Sequence, residues 1–135
     1  MVVGSMKIIV DKIAEYPRHA ITRADIHLIL SSVPSAWTEH IKIVRLSASR
    51  SATAMALYAR SVETLTIASR GYTKADTLRF VLAELAAWAL GFKQRTFQHL
   101  PARYASRVDG LIAPLVREIL PQISQKRLIT NENVV

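Results

Sequence analysis

ETLTIASRGYTKADTLRFVLAELAAWALGF, residues 63–92, holds two kinds of secondary structure in one run. Its first part alternates. Leu65 and Ile67 point one way and Thr64, Thr66 and Ala68 the other, as a strand requires. Gly71 closes that section. Thr73-Lys74-Ala75-Asp76 then has the form of a capping box, with Asp in place of Glu. Leu78, Val81, Leu82, Leu85, Trp88, Ala89 and Phe92 recur at helical spacing. Lys93 and Arg95 fall in the last turn, where cations suit the helix dipole. A strand feeding a long amphipathic helix points to a mixed α and β protein.

Upstream, Thr53 to Ala59 and Glu63 to Ser69 form a hairpin around Arg60-Ser61-Val62. Ile41 to Leu46 is β-branched and partly alternating, which predicts another strand. Thr22-Arg23-Ala24-Asp25 is a capping-box-like helix start, with Ile26, Ile29 and Leu30 as the apolar stripe. His27, between Ile26 and Leu28, is expected at the core or its boundary. From Met6 the spacing of Ile9, Ile13 and Tyr16 predicts a first helix, stopped by Pro17. Downstream, Pro101 suits the start of a final helical section, with Tyr104, Val108, Leu111, Leu115, Ile119 and Ile123 on its apolar face. Pro114 should kink or split that section. The expected fold class is therefore α+β, in one domain over residues 6–125. It has a small, mostly antiparallel sheet, N-terminal helices, a long central helix and C-terminal helices. Residues 1–5 precede a second Met and read as an added tag, and residues 126–135 as a flexible tail.

The 135 residues carry 18 Lys and Arg against 10 Asp and Glu, a net charge of +8. Half of them are hydrophobic, which excludes a disordered charged arm. Cysteine is absent, so disulfides and thiolate chemistry are excluded. No stretch is long and apolar enough for a membrane span, and Lys7 and Asp11 interrupt any secretory signal. A cytoplasmic location without membrane attachment is expected. None of the four glycines forms a phosphate loop, and no G-x-S-x-G is present. Tyr58 and Tyr72 flank the hairpin and read as packing or edge residues.

Within Phe80 to Phe92, Glu84 is the one ionisable residue. Its helical neighbours at three and four positions are Phe80, Val81, Ala87 and Trp88, all apolar. A solvated Glu has polar company on its face, so Glu84 is expected in or near a buried apolar surface. Such burial disfavours the charged form, which suits a general acid or base. It suits equally a structural carboxylate that reaches water or pairs with an Arg.

A hairpin, a strand and a long helix with one central Glu resembles the layout of the zincin-like metallopeptidases. That family carries H-E-x-x-H on the helix. Two His one turn apart bind zinc, and the Glu activates the zinc-bound water. The window here is Ala83-Glu84-Leu85-Ala86-Ala87. The resemblance places Glu84 at the general-base position and a substrate cleft along the hairpin edge, beside residues 83–87. It places Ala83 and Ala87 at two zinc-ligand positions, and His99 where a third ligand can lie. Alanine cannot ligate zinc, so no cofactor is expected in this chain, whereas zinc would follow from an intact motif. Such a chain is expected to be an inactive, pseudo-peptidase form that keeps peptide binding. The two ligands were lost naturally or replaced, or no zinc site ever existed; the residues fit all three.

Two other functions fit the residues. Lys93, Arg95, Arg103 and Arg107 fall in a stretch without acids, and Arg103 and Arg107 share a helix face. They are candidates for an anion patch and, through it, a nucleic-acid interface. No recognition motif accompanies them. A structural or interaction domain with a protein partner is the third reading. His19, His27, His40 and His99 include no pair at helical metal-ligand spacing.

Overall fold

The computed structural model describes residues 6–14, 18–49, 56–91 and 102–134, with side chains of the last segment described over 103–123. The elements run β1 (Lys7–Val10), α1 (Arg23–Ser32), β2 (Ile43–Leu46), β3 (Ala56–Ala59), β4 (Thr64–Ile67), α2 (Lys74–Ala89) and α3 (Ala102–Val134). The fold is α+β, as expected. Residues 1–5, read as a tag, lie outside the described residues.

Among the described residues, four strands form one sheet in the order β1-β2-β4-β3. β1 pairs with β2 and β2 with β4 in parallel, and β3 pairs antiparallel with β4. The expectation of a mostly antiparallel sheet is therefore corrected. Side-chain alternation carries no strand direction, whereas the connection does. Residues 11–42 contain α1 and are long enough to return the chain for parallel pairing. The hairpin is present over Ala56–Ala59 and Thr64–Ile67, and residues 53–55 of its expected first strand lie outside the described residues. Its turn, Arg60–Val62, is a single 3₁₀ turn, and Glu63 follows in the left-handed region at φ 50°. The Glu63 carbonyl accepts from Lys42 N and Ile43 N, at 2.9 and 3.2 Å, and so seats the start of β2.

The first element is a second correction. Lys7–Val10 is a strand, not the first turn of a helix. Ile8-Ile9-Val10 are consecutive β-branched residues, which favour extended backbone. The helical spacing of Ile9 and Ile13 did not outweigh pairing with β2. Lys7 N donates to Lys42 O and Asp11 N to Leu46 O, both at 3.0 Å. Beyond β1, the Asp11 carboxylate accepts from Arg45 Nε and Ala48 N at 3.2 Å. The Arg45 guanidinium holds the Asp11 carboxyl below its ordinary range.

Each strand buries one face. Ile8, Val44, Leu46, Ala56, Tyr58, Leu65 and Ile67 join Ile26, Ile29, Leu30, Leu78, Val81, Leu82 and Leu85 in a single core. Thr22 and Asp25 complete a reciprocal capping box on α1. The Thr73 hydroxyl accepts from Asp76 N at the start of α2. Asp25, 2% exposed, also pairs with Lys74, which joins the starts of α1 and α2. His27 is exposed, because Ile26, Ile29 and Leu30 take the inward face.

α3 is one helix through Pro114 and Pro121, so of the kink or split expected at Pro114 the split does not occur. Pro114 lacks the N–H that would bond the Gly110 carbonyl, and both residues are exposed, so water can satisfy that carbonyl. Val108, Ile112, Ile119 and Ile123 hold the inward stripe on both sides of Pro114. Ile112 takes the buried position expected for Leu111, which is 40% exposed. The helical backbone continues over 126–134, the segment read as a tail.

Candidate functional site

α2 is fixed at its start by the Thr73 cap and along its length by packing against α3 and β3. This placement carries Glu84 to the outer edge of the sheet. Glu84 is 6% exposed. Its carboxylate Oε2 accepts from Tyr58 N at 2.9 Å. β3 is an edge strand, and that N–H is turned away from β4. The burial expected for Glu84 is observed, and its partner on the sheet is a backbone amide.

An aromatic cluster lies one turn further along α2. The His40 ring stacks on Trp88, with centroids 4.2 Å apart and planes at 16°. The Tyr58 ring meets both edgewise, at 4.6 Å from His40 and 4.7 Å from Trp88. The Tyr58 hydroxyl donates to the His40 carbonyl at 3.0 Å. Burial of the phenol pushes its pKa above the ordinary value, with Glu63 adding to the rise and Arg60 opposing it. These rings border an open cavity of about 400 Å³, which Glu39, Lys42, Arg60, Ser61 and Glu63 complete. Two carboxylates and two cations give its rim balanced charge.

The positions that a zinc-binding helix would use are closed. Ala83 and Ala87 are 2% and 1% exposed and belong to the core. Ala83 borders a pocket of about 120 Å³ with Arg79 and Phe80 and with Asp109 and Ile112 of α3. The expected cleft beside 83–87 is thus displaced. α3 occupies the Ala83 side, and the open cavity lies at Trp88, near the last turn of α2. Among the described residues, no group of three metal-ligating side chains is present. His99, Lys93 and Arg95 lie outside the described residues. Arg103 and Arg107 are both exposed on α3, and the Arg103 guanidinium lies 4.7 Å over the Tyr104 ring.

Sequence reasoning isolated Glu84 and missed the two groups beside it. His40 was one of four scattered histidines, and Trp88 was part of an apolar stripe. They are 48 positions apart (88 less 40), and no local pattern links them. The amide of Tyr58 has no side-chain signature at all. Among the described residues, no helix is long and apolar enough to cross a membrane. Comparison of the chain with protein-family models, curated proteins and solved structures finds no match.

Proposed function

We propose that the protein is a non-catalytic domain that binds a peptide at the open cavity beside β3. The observation that supports this reading is the open cavity of about 400 Å³ that His40, Tyr58 and Trp88 border, next to the sheet's edge strand β3. Pockets lined by aromatic rings accept apolar or aromatic side chains of a bound peptide and so supply selectivity. In this reading a side chain of the peptide enters the cavity at His40, Tyr58 and Trp88. Hydrolysis is not part of the proposal. Alanine at 83 and 87 supplies no zinc ligand, and Glu84 is engaged with backbone in place of an activated water.

Selection of random peptides against the full chain tests the proposal. Selected peptides are expected to shift the amide signals of Ala56 and Tyr58 and the indole signal of Trp88. Trp88→Ala should weaken their binding about tenfold or more, as loss of an aromatic anchor does. Binding that leaves these three signals unmoved would overturn the assignment of the site. A selection that yields no binder to the folded chain would overturn the function.

A further inference from the structure

β1, β2 and β4 run parallel, so their carboxyl ends share one edge of the sheet. The cavity at Trp88 lies at the other edge, beside the starts of β2 and β4. A second cavity, of about 460 Å³, opens where β1 leaves the sheet and the chain turns toward α1. Two stretches of that connection line it, one from Val10 to Ile13 and one between Arg18 and Arg23. Its volume lies in the range of small-molecule sites.

The walls are fixed by bonds that need no ligand. On the first stretch, Asp11 N donates to Leu46 O at 3.0 Å, and the Asp11 carboxylate accepts from Arg45 Nε and Ala48 N, each at 3.2 Å. On the second, Ala20 N donates to the buried Ser69 hydroxyl at 2.9 Å, and Ile21 is 1% exposed. His19 joins the two, because its Nε2 donates to the Asp11 carbonyl at 2.7 Å. The cavity is therefore preformed, and a ligand entering it does not have to order both walls first.

The lining has two chemistries. Val10, Ile13 and Ile21 give it apolar walls, and Lys12, Arg18 and Arg23 bring positive charge. Asp11 is its one acid among the described residues, and the Arg45 guanidinium pairs with it. Lys12 and Arg23 are exposed, and neither forms an ion pair among the described residues. Arg23 uses one Nη on the Ile8 carbonyl at 2.7 Å, and its guanidinium has further donors. Thr22 and Arg23 are also the N-cap and first residue of α1, so the positive end of the helix dipole borders the same space.

We infer that this cavity is a binding site for a small amphipathic anion, a phosphate or carboxylate carried on an apolar group: Lys12 and Arg23 meet the head group, and Val10, Ile13 and Ile21 pack against the apolar part. A neutral apolar molecule would use the walls without the cations, and an inorganic anion the cations without the walls. A ligand with both parts uses the whole lining. The inference does not depend on the peptide site.

Titration of the full chain, followed by nuclear magnetic resonance, tests it with phenyl phosphate, benzoate, inorganic phosphate and phenol as probes. Phenyl phosphate or benzoate should shift the amides of residues 10–13 and 18–23, and the tighter of the two identifies the head group. That probe should bind at least about tenfold more tightly than inorganic phosphate or phenol, the factor that one charge-assisted bond supplies. Lys12→Gln and Arg23→Gln should each weaken it about tenfold. Glutamine at 23 keeps a donor for the Ile8 carbonyl, and Lys12 is exposed, so an unchanged spectrum of the free variant separates lost contact from lost fold. Ile13→Ser should weaken the same probe and leave inorganic phosphate unaffected. Four outcomes overturn the inference. No probe shifts these amides. Inorganic phosphate binds as tightly as the organic anions, which would mean an adventitious ion only. The shifts centre on Arg103 and Arg107 of α3, which would mean attraction to the basic surface at large. Lys12→Gln and Arg23→Gln both bind as the unmodified chain does.

Discussion

Tyr58 links backbone, side chain and pH at a single position. Its amide meets Glu84, its hydroxyl donates to the His40 carbonyl, and its ring packs against His40 and Trp88. Burial raises the phenol's pKa above 10.0 in the folded protein. The unfolded chain then loses that proton first as pH rises. The Tyr58 contribution is therefore complete below about pH 10 and declines above it. Tyr58→Phe removes the hydroxyl and its bond, a loss of about 1 kcal/mol near neutral pH. The stability difference between the two proteins should shrink as pH rises above about 10, measured by denaturant unfolding at each pH. A difference that stays constant would show that the hydroxyl is not shielded as the structure places it. At this scale the sequence isolated Glu84 correctly, because an acid amid apolar helical neighbours is a local signal. It could not supply the acceptor's partner, because an amide is common to every residue except proline.

α3 shows how an element tolerates residues that usually break it. Gly110 is exposed, and a Cβ built there meets nothing within 4 Å. Gly110→Ala should therefore stabilise the protein by about 0.5–1 kcal/mol, because alanine loses less backbone freedom on entering a helix. Thermal unfolding should show a higher midpoint. A lower one would mean that Gly110 relieves crowding from the Pro114 ring one turn later. α2 ends differently. Gly91 lies at φ 97°, in the left-handed region, and closes the helix with a bond from its N–H to the Trp88 carbonyl at 3.0 Å. At this scale, caps and stripes were readable. Thr22 and Thr73 start α1 and α2 as their residue types demand. β1 was misread, because the helical spacing of Ile9 and Ile13 competes with the β-branched run Ile8-Ile9-Val10, and pairing with β2, far along the chain, makes it a strand.

The net charge of +8 belongs to the whole molecule. Among the described residues, Asp11 pairs with Arg45 and Asp25 with Lys74. Exposed cations include Lys42, Arg60, Arg103 and Arg107. A surface of this sign attracts nucleic acid without reading its bases. Any such binding should weaken steeply with salt and be insensitive to sequence. Arg103→Glu with Arg107→Glu should reduce it, while leaving peptide binding at β3 unchanged. A gel-shift series from 50 to 200 mM salt, set beside peptide titration of the same variant, separates the two activities. Loss of both together would place the peptide surface on α3.

The α+β class, the hairpin, the starts of α1 and α2 and the burial of Glu84 all followed from residue types and their spacing. Those features depend on neighbours within about two helical turns, where side-chain period and capping chemistry act. Strand direction, the edge position of β3, the closure of Ala83 and Ala87 in the core and the meeting of His40, Tyr58 and Trp88 required the folded chain. Each is a contact between segments far apart in sequence, set by which pairing buries the most apolar surface while satisfying every backbone amide. Glu84 stands at the junction of the two. Its isolation was written locally, and its partner was chosen by the fold.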